Sequence, residues 1–236
     1  MIPKKIHYCW FGGAQKPAMA QKCIQSWRRF CPDWEIIEWN EHNFDLDCNP
    51  YVRYCYDHKK WAFLSDYVRL AVVCRQGGVY FDTDVELVKP LDILLEHQAF
   101  YSFENPEMVN TGQGFGAEPN HPTVAAMVSE YEKLEADGEG AITLTPCPTL
   151  NTAALLPFGL RLDGNRQNVA GAEILPAEYM NPYDEPTGRM NKTENTLSIH
   201  WYNKSWIGPG AKLRSKLTRP FHRIFGKDCF GWMKRK

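Results

Sequence analysis

Two carboxylates one residue apart, Asp82 and Asp84, follow an apolar run, Val79-Tyr80-Phe81, that reads as a buried strand. Ligands of open α/β sheets collect at the carboxyl ends of strands. Two acids at such a tip repel each other unless a cation or a proton lies between them. Hard oxygen ligands of this kind suit Mg2+ or Mn2+, whose shells are completed by phosphate oxygens and water. Taken alone, the D-x-D pattern is equally a loop with two solvated acids or a helix N-cap.

Two further groups give the pair a context. Asp66 and Arg69 stand three residues apart in Ser65-Asp66-Tyr67-Val68-Arg69, so a helix projects both from one face. They read as an ordinary surface ion pair contributing about 0–1 kcal/mol, or as a polar pair aimed at a ribose or phosphate. His200 follows a short strand and leads into Trp201-Tyr202-Asn203-Lys204-Ser205-Trp206. It reads as a satisfied histidine or, beside those aromatics and hydroxyls, as a third metal ligand or phosphate contact.

The elements that must position these groups follow from periodicity. Ile6 to Phe11 is a β-prone run ended by Gly12-Gly13, and Lys16 to Phe30 has helical spacing stopped by Pro32. Trp34 to Trp39 reads as a second strand, so the chain opens strand, helix, strand, the start of an α/β sheet. Trp61 to Gln76 is the clearest helix, with an apolar stripe through Phe63, Leu64, Tyr67, Leu70, Ala71 and Cys74 and a Gly77-Gly78 stop. Beyond the acidic tip the spacing predicts a short helix over 91–96, a strand over 97–103, a loop over 105–120 and a helix over 122–136. Residues 138–210 read as loop-rich, with a strand over 196–200.

The formal charge of −1 hides an asymmetry. Residues 211–236 carry nine Lys or Arg and one acid, a net +8, whereas the preceding 210 residues carry 18 basic and 27 acidic groups, a net −9. One domain over 1–210 with a basic tail over 211–236 is the economical division. An acidic body argues against wrapping nucleic acid, so the tail's functional reading is contact with an anionic membrane surface; Pro220 interrupts its amphipathic pattern. The N-terminus has no apolar run after its lysines and no stretch is long enough to span a bilayer. The eight cysteines show no C-x-x-C pair, so free thiols and a cytoplasmic setting, peripheral on the inner membrane face, are expected.

Taken together, I-H-Y-C-W-F-G-G, S-D-Y-V-R, G-G-V-Y-F-D-T-D-V and H-W-Y-N-K-S-W resemble, in order over residues 6 to 206, the motifs of glycosyltransferase family 32. That family includes initiating mannosyltransferases and capsular-polysaccharide transferases, with clostridial glucosylating toxins more distant. The resemblance implies a GT-A fold (an α/β, Rossmann-like mixed sheet flanked by helices), a divalent metal, Mn2+ or Mg2+, and retaining transfer from a nucleotide-sugar. A UDP-sugar is the favoured donor, and GDP-mannose fits the same scaffold. The acceptor would be a saccharide, free or lipid-linked, in capsule or other cell-surface polysaccharide synthesis.

By the same resemblance Trp10 stacks on the base, Asp66 holds ribose or sugar hydroxyls, and Arg69 holds sugar or diphosphate. Asp84 binds the metal directly, Asp82 reaches ribose and metal, and His200 completes the shell. Ser205 and Trp206 contact the departing diphosphate. The chain departs from relatives at Thr145-Pro146-Cys147-Pro148 and at Asn110-Thr111-Gly112, which bears on acceptor contacts more than on the donor.

Two rivals stand beside this reading. An apolar strand followed by D-T-D-V also resembles the first motif of haloacid-dehalogenase-type phosphatases, in which Asp82 would be the nucleophile, although no Asp-Asp pair follows it. A non-enzymatic adaptor would use the basic tail to bind membrane or nucleic acid.

Overall fold

The computed structural model describes residues 1–134, 136, 137, 140–203, 218–226 and 229. Strand β1 (Lys5–Cys9) is buried beyond its first residue and lies between two parallel partners. It pairs with β2 (Glu35–Trp39) in the register Ile6 to Ile36, and with β3 (Gly78–Tyr80) in the register Ile6 to Val79. Between β1 and β2 runs α1 (Ala18–Phe30), whose buried stripe is Ala20, Cys23, Ile24 and Trp27. The expected strand, helix, strand opening is therefore present.

Next come α2 (Pro50–Asp57) and α3 (Trp61–Gln76). The sequence reading passed over α2, although Asn49 and Pro50 form a start signal. The Asn49 side chain accepts the N–H of Tyr51 at 2.7 Å, and Pro50 occupies the first turn, where its missing N–H costs nothing. Helix α3 has the expected bounds but is buried nearly all round rather than along one stripe, from Asp66 through Val73 without a break. At its end Gly77 adopts φ +64°, and a Cβ there would meet the Pro119 ring at 2.7 Å.

The rest of the chain supplies β4 (Val85–Leu87), β5 (Ala99–Asn105), β6 (Met108–Val109), β7 (Phe115–Ala117), α4 (Pro122–Glu132), α5 (Cys147–Leu155), β8 (Gln167–Val169), β9 (Ala172–Leu175), β10 (Tyr183–Asp184), β11 (Arg189–Met190) and β12 (Ser198–His200). The main sheet has the order β2-β1-β3-β7-β5-β9-β8, with β6 added to β5. Strand β7 runs antiparallel to both β3 and β5, so the sheet is mixed and β3 and β5 share a direction. Strands β4 and β12 form a separate antiparallel pair.

Several expectations are corrected here. The strand expected over 97–103 lies at Ala99–Asn105, the element expected as a helix over 91–96 is one 3-10 turn at Asp92–Leu94, and the helix expected over 122–136 ends at Glu132. The loop expected over 105–120 contains β7, a central strand. Its Phe-Gly-Ala sequence has no periodic signal because packing leaves no room for one: a Cβ on Gly116 would lie 2.6 Å from the Phe100 ring. The region read as loop-rich contributes α5 and two strands of the main sheet.

Side chains alternate across the sheet. Val79 and Phe81 enter the core against α1, whereas Tyr80 enters the core against α3, α4 and α5. That alternation decides where the acids point, since Asp82 continues the side of Tyr80 and so faces α3. Residues 218–225 are helical with Pro220 among them, so the proline does not break this segment. Arg219 pairs with Glu185 at 3.0 Å and Arg189 donates to the Arg223 carbonyl at 2.9 Å, which anchors the segment to the β10–β11 hairpin. No helix among the described residues is long and apolar enough to cross a membrane, and all eight cysteines are free thiols.

Candidate active site

The D-T-D segment is a short turn between β3 and β4, held at both ends. Phe81 N–H donates to the His7 carbonyl at 3.1 Å, Asp82 N–H to the Gly112 carbonyl at 3.0 Å, and Val85 N–H to the Asp82 carbonyl at 3.0 Å. Trp27 supports it from the α1 side, its indole N–H donating to the Val85 carbonyl at 2.8 Å. The β4–β12 pairing sets His200 opposite Val85. Its Nε2 is 3.4 Å from Asp84 Oδ1, and the Asn203 N–H donates to Asp84 Oδ2 at 2.7 Å. One ligand atom from each of Asp82, Asp84 and His200 lies within 4.8 Å of the others.

Arg69 reaches the same turn from α3. Its Nη2 sits 2.9 Å from Asp66 Oδ1 and 3.0 Å from Asp82 Oδ1, while Nε donates to the Ser65 carbonyl at 3.1 Å. The Arg69 side chain is 3% exposed, so the surface-pair alternative does not hold. It is a buried cation shared by two carboxylates. Tyr80, directly below, donates its hydroxyl to Asp82 Oδ1 at 3.0 Å and lays its ring 4.9 Å from the guanidinium.

The electrostatics are unbalanced in a way that invites a cation. Burial pushes the Asp66 carboxyl up to about 7 against the pull of Arg69. Burial also raises Asp82, with Arg69 opposing and the charge of Asp84 adding to the rise. Burial acts on Asp84 too, but His200 and the Asn203 N–H outweigh it and hold this carboxyl below its ordinary range. Burial opposes the charged form of His200, yet Asp84 beside it lifts the imidazole above its usual value. The His200 Nδ1 is buried without a hydrogen-bond partner among the described residues. Two carboxylates and an imidazole with one orphaned ring nitrogen make a donor set that fits a hard or borderline divalent ion.

Of the residues expected from the sequence, Asp66, Arg69, Asp82, Asp84 and His200 form one cluster. Trp10 follows β1 at the same edge of the sheet, donating its indole N–H to the Ala14 carbonyl at 2.6 Å with the Lys16 ammonium 5.6 Å from its ring. Lys16 also lines a separate groove of about 330 Å³ with Tyr8, Gln25, Arg28 and Glu38, a lining that includes neither Trp10 nor the acids. Ser205 and Trp206 lie outside the described residues.

Four further residues join the cluster, three of which (Asn110, Gly112 and Cys147) were expected from the sequence to bear on acceptor contacts instead. Tyr80 could have been found from strand alternation alone. Cys147, whose thiol accepts from Arg69 Nη1 at 3.7 Å, and Asn110, whose Oδ1 accepts the Gly112 N–H at 2.7 Å, carry no local signal. Gly112 lies close against the site: a Cβ there would lie 2.4 Å from Asp82 Oδ2 and 2.8 Å from Arg69 Nη1.

Known proteins resemble this chain in sequence and in fold. Residues 17–101 match the family described as the glycosyltransferase sugar-binding region containing the DXD motif. Inositol phosphoceramide mannosyltransferase 1 of Schizosaccharomyces pombe is 27% identical over 144 residues, covering 56% of this chain and 44% of its own length. Inositol phosphoceramide mannosyltransferase 3 of the same organism is 29% identical over 141 residues, covering 56% and 38%. The chain thus spans less than half the length of these curated relatives. Among solved structures, the PaToxG glycosyltransferase superposes with a TM-score of 0.50 at 19% identity, covering 66% of this chain and 68% of that one, a likeness of fold alone. The fold is of the GT-A type, and residues 17–101 resemble the DXD-containing sugar-binding region of glycosyltransferases.

Proposed function

We propose that this chain transfers a hexose from a nucleotide-sugar to a saccharide or lipid-linked saccharide acceptor, with retention at the anomeric carbon. The observation that carries this reading is the convergence of Asp82, Asp84 and His200 within 4.8 Å at the carboxyl edge of the sheet. A divalent ion held by those three, Mn2+ or Mg2+, supplies Lewis-acid neutralisation of a diphosphate. Arg69 fixes Asp66 and Asp82 and lends its buried charge to the same region. Asp66 would accept from ribose or sugar hydroxyls, Trp10 would stack on the base, and Ser205 and Trp206 would meet the diphosphate from the segment after β12.

In the transfer itself the bond from the sugar's anomeric carbon to phosphate oxygen breaks, a bond from that carbon to the acceptor oxygen forms on the same face, and the acceptor proton passes to the departing phosphate. A UDP-sugar is the favoured donor, with GDP-mannose on the same scaffold. Both S. pombe relatives are named for mannosyl transfer to an inositol phosphoceramide, which supports a hexose and a lipid-borne acceptor. Synthesis of capsule or another cell-surface polysaccharide is the setting we favour.

The test is calorimetric titration with UDP, GDP and their hexose conjugates, in Mn2+ and in EDTA. Binding of one nucleotide series in Mn2+ and its loss in EDTA is expected. A folded protein that binds none of them would refute the assignment.

We also propose that residues 1–210 are the catalytic unit and that 211–236 hold it against the cytoplasmic face of an anionic membrane. In the described helical segment Phe221, Ile224 and Phe225 follow i, i+3, i+4 spacing and are 51%, 73% and 69% exposed, on a stretch that also carries Arg219 and Arg223. Sedimentation with phosphatidylserine-containing vesicles, but not with neutral ones, is expected and should disappear when Phe221, Ile224 and Phe225 are changed to serine. Undiminished vesicle binding after deletion of 211–236 would refute it.

A further inference from the structure

A fourth carboxylate stands beside the triad and has no part in the chemistry above. Glu104 lies near the carboxyl end of β5, and because β3 and β5 both run antiparallel to β7, it shares the edge that carries Asp82. It is half-buried. The cationic groups of the site are engaged elsewhere, Arg69 with Asp66 and Asp82, His200 with Asp84. Glu104 is held instead by neutral donors: the Tyr202 hydroxyl donates to Oε1 at 3.1 Å and Asn110 Nδ2 donates to Oε2 at 3.3 Å.

Both donors are built into the site. The Tyr202 ring lies 4.0 Å from that of His200, and its hydroxyl accepts from Asn181 Nδ2 at 2.7 Å. Its backbone sits at φ +50°, a left-handed conformation that a bulky residue adopts only where its surroundings over-determine it. The other end of Asn110, Oδ1, accepts from the Gly112 N–H and from the Cys147 thiol at 3.5 Å. Glu104 is therefore a carboxylate with a fixed orientation, tied to His200 through Tyr202 and to the Arg69 side of the site through Asn110 and Cys147.

Resting on the transferase reading, we propose that Glu104 recognises a hydroxyl of the donor sugar, with Tyr202 and Asn110 as the residues that orient it. A carboxylate repels the diphosphate that the triad would hold, so what faces it must be a neutral donor. The hexose joined to that diphosphate is rich in hydroxyls, and each can donate a hydrogen bond to a carboxylate oxygen. Glu104 would thus discriminate among sugars while leaving the nucleotide to the rest of the site.

The experiment compares wild type, Glu104→Gln and Glu104→Asp by calorimetry in Mn2+, with UDP, GDP, UDP-glucose, UDP-galactose and GDP-mannose as ligands. Glu104→Gln is expected to bind the nucleoside diphosphate within about twofold of wild type and to lose roughly tenfold for the nucleotide-sugar, as removal of a charged hydrogen bond implies. Glu104→Asp should regain part of that loss. Equal losses for both ligands would mean a structural role, and unchanged nucleotide-sugar binding would remove the contact; either overturns the inference alone. A wild type that binds no nucleotide at all overturns it together with the transferase reading.

Discussion

Asp84→Ala is expected to abolish Mn2+-dependent nucleotide binding and to lower sugar transfer by about a thousandfold, on the order of 4 kcal/mol of transition-state stabilisation. Asp84 is the carboxylate whose environment most favours charge. His200 stands 3.4 Å away, the Asn203 N–H donates to it at 2.7 Å, and its own carbonyl accepts the Trp201 N–H at 3.0 Å. The alanine variant removes one of two anionic ligands and leaves His200 buried without its partner. Asp84→Asn separates charge from shape, because an amide oxygen can still accept from Asn203. Both variants should remain folded by circular dichroism while failing to bind UDP or GDP compounds. Transfer within tenfold of wild type in Asp84→Ala would sink the assignment of the metal site.

Arg69→Met should act on the fold as well as on the chemistry. Removing one partner of a buried ionic cluster leaves uncompensated charge and costs about 3–5 kcal/mol. Here two carboxylates, Asp66 and Asp82, lose the same guanidinium, and Tyr80 loses the cation over its ring. The pH dependence follows from the direction of the shifts. Burial already raises both acids in the native protein. Without Arg69 they rise further and bind protons in the folded state at pH values where the unfolded chain has released them. Stability of the variant therefore falls as pH climbs from about 4 through neutrality. Thermal unfolding should show a larger deficit relative to wild type at pH 8 than at pH 5. A variant within about 1 kcal/mol of wild type at pH 8 would mean that water, not Arg69, compensates these acids.

How much of this was legible in the sequence depends on how local each signal is. Asp82 and Asp84 declare themselves because an apolar strand runs straight into them, and Asp66 with Arg69 because helical spacing puts both on one face. Trp61–Gln76 is readable since its length and glycine stop are carried by its own residues. Strands β7, β8 and β9 have three or four residues each, too few for alternation to register; β7 and β9 become strands through partners far along the chain, and β8 through its hairpin with β9. Glu104, Asn110 and Cys147 belong to the same category among site residues. Each is an ordinary polar residue until the sheet edge, α5 and the segment after β12 meet. The GT-A expectation survived these omissions because it rested on ordered motifs rather than on a complete count of strands.

The pairing of β4 with β12 has a consequence for how the chain folds. Asn203 and Asp84 touch although 119 residues separate them, so the order lost in closing that loop must be met before the triad exists. Local contacts form early and long-range strand pairs late, so the half-formed protein has both aspartates but no histidine beside them. A cation that needs all three ligands would bind only after the last strand docks. Such binding would leave the rate of folding almost untouched and slow the reverse step. On the proposed reading, the ion that would neutralise a diphosphate during turnover would, between turnovers, act as a kinetic latch on the completed fold.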